Sequence, residues 1–304
     1  MNPKTSPATV RLVHIDSFTR TPFRGNPAGV VLDADGLSGQ QMQDIARELR
    51  HSETAFVLKP HGPDHDLHIR YFTPSVEVPV CGHATIAAHY ARACQLGLPA
   101  TSLVQKTGAG LQRIDIQRHE DDYRIVMHQG PISFGAPFDA AQRQRMVLAL
   151  GIGAADLEEN RPVQIVSTGH SKVLLPLRPD FELEELRPDA AALSAISRDI
   201  GCNGFYPFVV RDDGSTEGRM FAPAIGIAED PVTGNANGPL GAYIVRYGLL
   251  PHDGRRLCFD GHQGRALRRD GVVRVMVEID AGEAIRVAIA GDAVQLFAAD
   301  LRVD

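Results

Sequence analysis

Lysine is scarce in this sequence. Lys4, Lys59, Lys106 and Lys172 are the only four in 304 residues, and none stands in the chain's duplicated motif. That weakens any Schiff-base or pyridoxal chemistry, which needs a lysine amine at the reacting centre. Cysteine is also sparse: Cys81, Cys94, Cys202 and Cys258 show no C-x-x-C spacing. The first residues form no apolar signal stretch, so free thiols in a reducing cytoplasm are expected rather than a disulfide frame. No run approaches the roughly 18 apolar residues of a membrane span. Neither a dinucleotide fingerprint nor a Walker loop is present. A formal charge of -6 without a basic stripe excludes nucleic acid as an expected partner. Arg265, Arg268 and Arg269 are the densest basic cluster and read as a solvated turn.

What remains is ordinary for a globular protein, with 43% apolar and 22% charged residues. The length allows a large core and favours two domains. The most informative feature is a motif stated twice. Arg70-Tyr71-Phe72-Thr73-Pro74 runs through Glu77-Val78-Pro79 into Cys81-Gly82-His83-Ala84, and Arg219-Met220-Phe221-Ala222-Pro223 runs through Glu229-Asp230-Pro231 into Thr233-Gly234-Asn235-Ala236. Each copy reads as a strand, a turn holding an acid and a proline, then a helix. A helix start leaves N–H groups unpaired and attracts anions. Two such starts facing one cleft would hold a small anionic metabolite.

The helix of the first copy, over 84–96, is apolar all round with Arg92 its one charge. The second, over 237–247, carries only Arg246. Helices of that kind are buried. Pro239 suits the first turn of the second, and Gly97 and Gly248 sit where C-terminal caps belong. An amphipathic helix follows Ser38, whose spacing to Gln41 makes a capping box. Alternating strands end the chain at Ile285, Val287 and Ile289. A boundary near Gly130-Pro131 divides the chain into 1–130 and 131–304, with the final strands free to return to the first half. The expected fold class is α+β, two pseudo-symmetric halves that each wrap a sheet around one central buried helix.

Without a cofactor motif, the chemistry falls to side chains. Glu53 lies between Ser52 and Thr54 ahead of an apolar strand; a carboxylate beside apolar neighbours has a raised pKa and moves protons near neutral pH. A solvated turn residue is the plainer reading. His83, after the Gly at the first helix start, can shuttle a proton or cap the helix. Asp230 is either a second carboxylate or a partner of the helix dipole. Asn235 either donates to a substrate carboxylate or caps. Cys81 sits where thiol pKa falls, but the equivalent position is Thr233, which disfavours a two-thiol racemase. The stretch from His61 through Asp64, His65 and Asp66 to His68 lies in a Gly-Pro turn with no helix to present its histidines, so no metal site is expected.

These residues resemble the phenazine biosynthesis PhzF-like family. The likeness is carried by Ser52-Glu53-Thr54-x-Phe56-Val57, Phe72-Thr73-Pro74-x-x-Glu77-x-Pro79, Gly82-His83, Glu229-Asp230-x-x-Thr233-Gly234-x-Ala236-x-Gly238-Pro239-Leu240, Gly25-Asn26-Pro27 and Gln263-Gly264, nearly end to end. The resemblance implies the diaminopimelate-epimerase fold and a cofactor-independent isomerase, working as a cytoplasmic homodimer. On that pattern Glu53 is the general acid/base and His83 and Asp230 stand with it around the substrate. Gly82, Ala84, Gly234, Asn235 and Asn26 become the substrate-binding positions. Three departures keep the phenazine substrate from carrying over: Asn235 replaces a Ser, Ala84 replaces the Pro of Gly-His-Pro, and Arg268-Arg269 stand where Gly-Arg is usual. An amino-acid epimerase on the same fold and a non-catalytic binding protein are the alternatives.

Overall fold

The computed structural model describes residues 9–303. They form a mixed α/β fold of two compact units. One holds the described residues up to Phe23, Pro27–Met127 and those from Asp292; the other holds Arg24–Asn26 and His128–Gly291.

The first unit contains β1 (Thr9–Ser17), β2 (Asn26–Val31), α1 (Gly39–Leu49), β3 (Thr54–Leu58), β4 (Leu67–Phe72), β5 (Glu77–Val78), α2 (Gly82–Leu96), β6 (Thr101–Thr107), β7 (Gly110–His119) and β8 (Asp122–His128). β1 pairs with β2, which runs parallel to β3; β4 joins antiparallel to β3 and parallel to β6. β7 and β8 follow antiparallel, and β8 pairs with the chain's last strand. That strand returns to β1, placing Thr9 opposite Arg302, and the ring closes into a barrel. Closure pairs each strand of the ring on both sides, while the short β5 pairs with β4 beside it. Every residue of α2 from Gly82 to Ala91 is buried, and the helix packs against β1, β3 and β7. Its alanines make that possible, since small side chains on all faces let strands approach from several directions. Gly97 ends it in the left-handed region at φ 59. α1 lies outside, its Met42, Ile45 and Ala46 packed with Leu12, Val31, Phe56 and Phe72.

The second unit contains β9 (Ile132–Pro137), α3 (Ala140–Ala149), β10 (Gln164–Thr168), β11 (Ser171–Pro176), α4 (Ala190–Ile200), β12 (Phe205–Val210), β13 (Thr216–Gly218), β14 (Met220–Ala222), β15 (Ile227–Asp230), α5 (Gly234–Tyr247), β16 (Arg256–Gln263), β17 (Gly271–Asp280) and the first part of β18 (Glu283–Arg302). β9, β10 and β11 are antiparallel, β12 is parallel to β11, and β13 leads parallel to β16 and then antiparallel to β17 and β18. α5 packs against β10, β11, β16 and β17. A core of Met146, Leu193, Ile196, Phe205 and Phe221 lies with α3 and α4.

Two details differ from the sequence reading. α5 begins at Gly234, so Pro239 falls in its second turn rather than its first. The missing N–H there would have met the carbonyl of Asn235, at the very end of the helix, where the loss is small. β18 continues thirteen residues past Ile289, to Arg302, to reach β1. None of the described helices is long and apolar enough to cross a membrane.

Candidate active site

The two copies of the motif make the same local contacts. Arg70 grips Glu77 through Nε and Nη2 at 2.8 and 2.7 Å, and its guanidinium lies 5.0 Å from the Phe72 ring. Arg219 grips Glu229 at 2.8 and 2.7 Å and lies 5.0 Å from the Phe221 ring. The two-pronged pair fixes the turn ahead of each buried helix, because both oxygens of a carboxylate match the guanidinium fork.

α1 and α3 begin with full capping boxes, Ser38 with Gln41 and Asp139 with Gln142, and the Asp189 carboxylate caps α4. The buried helices differ. Neither Cys81 nor Thr233 gives its helix a side-chain cap. The first N–H bond of α2 comes from Thr85 and the first of α5 from Ala236 and Asn237. The N–H groups of Gly82, His83 and Ala84, and those of Gly234 and Asn235, therefore precede the helical ladder and can serve an anion.

At the start of α2 the structure brings Glu53, Cys81 and His83 together, from positions thirty residues apart in the chain. Glu53 Oε2 lies 3.5 Å from His83 Nε2, with 12% of the Glu53 side chain exposed. Ser52 Oγ is 3.3 Å from the same nitrogen, and Cys81 Sγ is 3.4 Å from Nδ1. One neutral tautomer serves all of this: Nε2–H directed at the carboxylate, and Nδ1 accepting the thiol proton. Burial holds the His83 imidazole below its ordinary pKa, and the Glu53 charge opposes that only in part. Ser17 Oγ anchors the backbone by donating to the His83 carbonyl at 2.8 Å. A second chain of buried polar groups runs inward: Thr85 donates to the Cys81 carbonyl at 2.7 Å, Tyr71 meets Thr85 at 2.6 Å, and Gln105 links Tyr71 to His89.

At the start of α5 Asp230 is buried and accepts from Asn26 Nδ2 at 2.8 Å and from Thr233 Oγ1 at 2.5 Å. Burial nonetheless pushes its carboxyl up to about 6, with those two bonds and Lys172 pulling the other way. Gln263 ties the turn together: Oε1 accepts the Thr233 N–H, and Nε2 donates to the Asp230 carbonyl at 2.8 Å. Asn235 is half-buried beside Gln129, and Gly234 is buried. Sequence reasoning passed over Ser17, which sits in a plain strand, and Lys172, which lies outside the motifs. Lys172 is buried, with Nζ 2.7 Å from His170 Nδ1 and bonded to the Ser171 carbonyl, and burial pushes its amine down to about 8. In the His61–His68 stretch His65 Nδ1 is 2.6 Å from Asp64, its Nε2 accepts the His61 N–H, and the Asp66 carboxylate accepts the Val104 N–H.

The family model for phenazine biosynthesis-like proteins matches residues 15–299, and the chain belongs to that family. It is an isomerase. A relative from Escherichia coli K12 named "uncharacterized isomerase YddE" is 53% identical over 97% of this chain and 99% of its own length. The trans-2,3-dihydro-3-hydroxyanthranilate isomerase of Pseudomonas chlororaphis is 34% identical over 93% of this chain and 95% of its own. The crystal structure of a PhzF-family phenazine biosynthesis protein from Bacillus anthracis superimposes with a TM-score of 0.86, at 33% identity, covering 97% of this chain and 99% of that one.

Proposed function

We propose that the protein isomerises a small metabolite carrying a carboxylate by moving a proton between two of its carbons, with Glu53 as the general acid/base. The observation that carries this reading is the Glu53 carboxylate, 3.5 Å from the neutral His83 imidazole, at a helix start without a side-chain cap. Glu53 takes a proton from carbon, and the electron pair spreads toward the substrate carboxylate. The open N–H groups of Gly82 and Ala84 stabilise the charge that develops there. The same Glu53 then returns the proton to a second carbon, so the reaction balances without oxidant, reductant or second substrate. His83 holds the carboxylate of Glu53 through Nε2–H. Within its own unit Asp230, held by Asn26 and Thr233, is a further candidate acid/base, and Gly234 and Asn235 beside it are candidate substrate-binding positions. The activity named for the Pseudomonas chlororaphis relative, on a carboxylic acid, supports the substrate class. The matching Arg–Glu forks and Arg–Phe contacts support reading the two units as copies of one plan, each built on its buried helix.

One observation favours a thiol epimerase instead. Cys81 Sγ lies within reach of His83 Nδ1, and a thiol at a helix start beside an imidazole ionises readily. Turnover and deuterium uptake of Glu53→Gln and Cys81→Ala, measured side by side on candidate acids in heavy water, decide between them. Glu53→Gln is expected to lose about 100-fold or more, the range for a missing general acid/base, while Cys81→Ala keeps most turnover. The opposite pattern would establish the thiol mechanism.

A further inference from the structure

Glu53, Cys81 and His83 offer three different donor atoms that all lie within 4.8 Å of one another. His83 Nε2 is the shared neighbour, 3.5 Å from Glu53 Oε2 and 4.0 Å from Cys81 Sγ. A tetrahedral ion with bonds of about 2.0–2.1 Å to nitrogen and 2.3 Å to sulfur sets its ligand atoms roughly 3.3–3.6 Å apart. The carboxylate edge already fits. The Cys81–His83 edge needs to close by about half an ångström and the Cys81–Glu53 edge, within 4.8 Å, by at most about 1.2 Å, both through rotation of the Cys81 and Glu53 side chains. Two ligands come from Cys81-x-His83 at a helix start, where the backbone is fixed, and the third from a separate turn. A thiolate, an imidazole and one carboxylate select a borderline-soft ion over magnesium or calcium. The 12% exposure of the Glu53 side chain gives the ion a way in.

We propose that Glu53, Cys81 and His83 form a binding site for a divalent ion of the zinc type, and that its occupation switches proton transfer off. On binding, Cys81 gives its thiol proton to solvent. The imidazole proton moves to Nδ1 and frees the Nε2 lone pair, while Glu53 becomes a ligand and can no longer accept a proton from carbon. No electrons are exchanged, and one proton is released per ion, so binding strengthens as pH rises. The inhibition rests on the proton-transfer reading of Glu53; the binding does not.

Cobalt(II) is the probe, titrated into the chelator-stripped full chain carrying Cys94→Ser and Cys258→Ser, the two exposed thiols. The expected result is one cobalt per chain, a thiolate-to-cobalt charge-transfer band, tetrahedral visible bands, and displacement of all three signals by zinc. Adding Cys81→Ser should abolish the charge-transfer band, and His83→Gln should weaken binding at least ~10-fold, since even outer partners of a metal site cost that much. A parent protein without the band, a band that survives Cys81→Ser, or unchanged affinity in His83→Gln would each overturn the site. Glu53→Gln assayed in metal-free buffer tests proton transfer separately, so either idea can fail alone.

Discussion

Asp230 is held by two good donors and is still a reluctant anion. Asn26 and Thr233 both donate to it, yet burial outweighs them and leaves its carboxyl at about 6. Lys172, itself pushed down to about 8, is still protonated near pH 6 and adds a counter-charge. An acid/base group is most useful when its pKa lies close to the working pH. If the ionised form is the active one, kcat/KM on an acid that the wild type turns over rises with pH through about 6. Asp230→Asn keeps the shape, and Asn26 keeps its bond to the Val232 carbonyl. The variant should show a lower plateau and no limb near that pH. A limb that persists in Asp230→Asn would assign it to another group. The sequence offered Asp230 as a candidate, but the groups that hold its turn and oppose its burial, Gln263 and the Lys172 charge, lie far along the chain and outside the duplicated motif.

Elements read from local signals came through well where the signal is local in its physics. The Ser38–Gln41 box, the αL glycines at 97 and 248, and the mostly apolar character of both buried motif helices are each fixed by neighbours within one or two turns. β9 and the far half of β18 were not legible, because their partners are β10 and β1 and their own patterns are weak. The nearness of Glu53 to His83 followed only from the family resemblance, and the place of Cys81 beside them was hidden, since the packing of β3 beside α2 brings the three together. The turn after β16 shows how such distant control works. Gln263 reaches the start of α5 because Gly264 bends the chain at φ 98, where a Cβ would stand 2.3 Å from the Arg269 carbonyl oxygen. Gly264→Ala should therefore cost about 2 kcal/mol or more, combining a forbidden φ with a backbone clash. Urea unfolding checks it, and a loss within about 0.5 kcal/mol, the usual surface value, would show that the turn can relax.

At the scale of the whole molecule, the titratable groups with shifted pKa values make the two units respond unequally to acid. In the first unit His68, His83 and His89 are all held below their ordinary 6.5, His89 at about 4, by burial above all. A base with a lowered folded pKa costs nothing above its unfolded value and progressively more as pH falls from 6.5 toward the folded value, because the unfolded chain takes up the proton first. In the second unit His170 behaves the same way, at about 4, driven first by the Lys172 charge. There Asp230 works against it: its raised pKa makes the folded state the better proton binder between 6 and 3.8, so acid favours that unit. One proton lost and one gained nearly cancel. The carboxylates held low in the first unit, Asp64, Glu77, Glu120 and Asp292, act only below their ordinary 4.5 or 3.8 and do not alter the balance above about pH 5. Lowering the pH from 6.5 toward 5 should thus soften the first unit before the second. Native-state hydrogen exchange, corrected for intrinsic rates, would show protection falling in Pro27–Met127 while His128–Gly291 holds. His89 contributes up to roughly 1.4 kcal/mol per pH unit of that loss, the slope of a single proton. In His89→Gln the amide still donates to Gln105 Oε1, as His89 Nε2 does at 2.7 Å, but cannot ionise. That variant should narrow the gap between the units by about one proton's slope. Equal softening of both units in the wild type, or an unchanged gap in His89→Gln, would mean that proton uptake at these buried groups does not set the acid response.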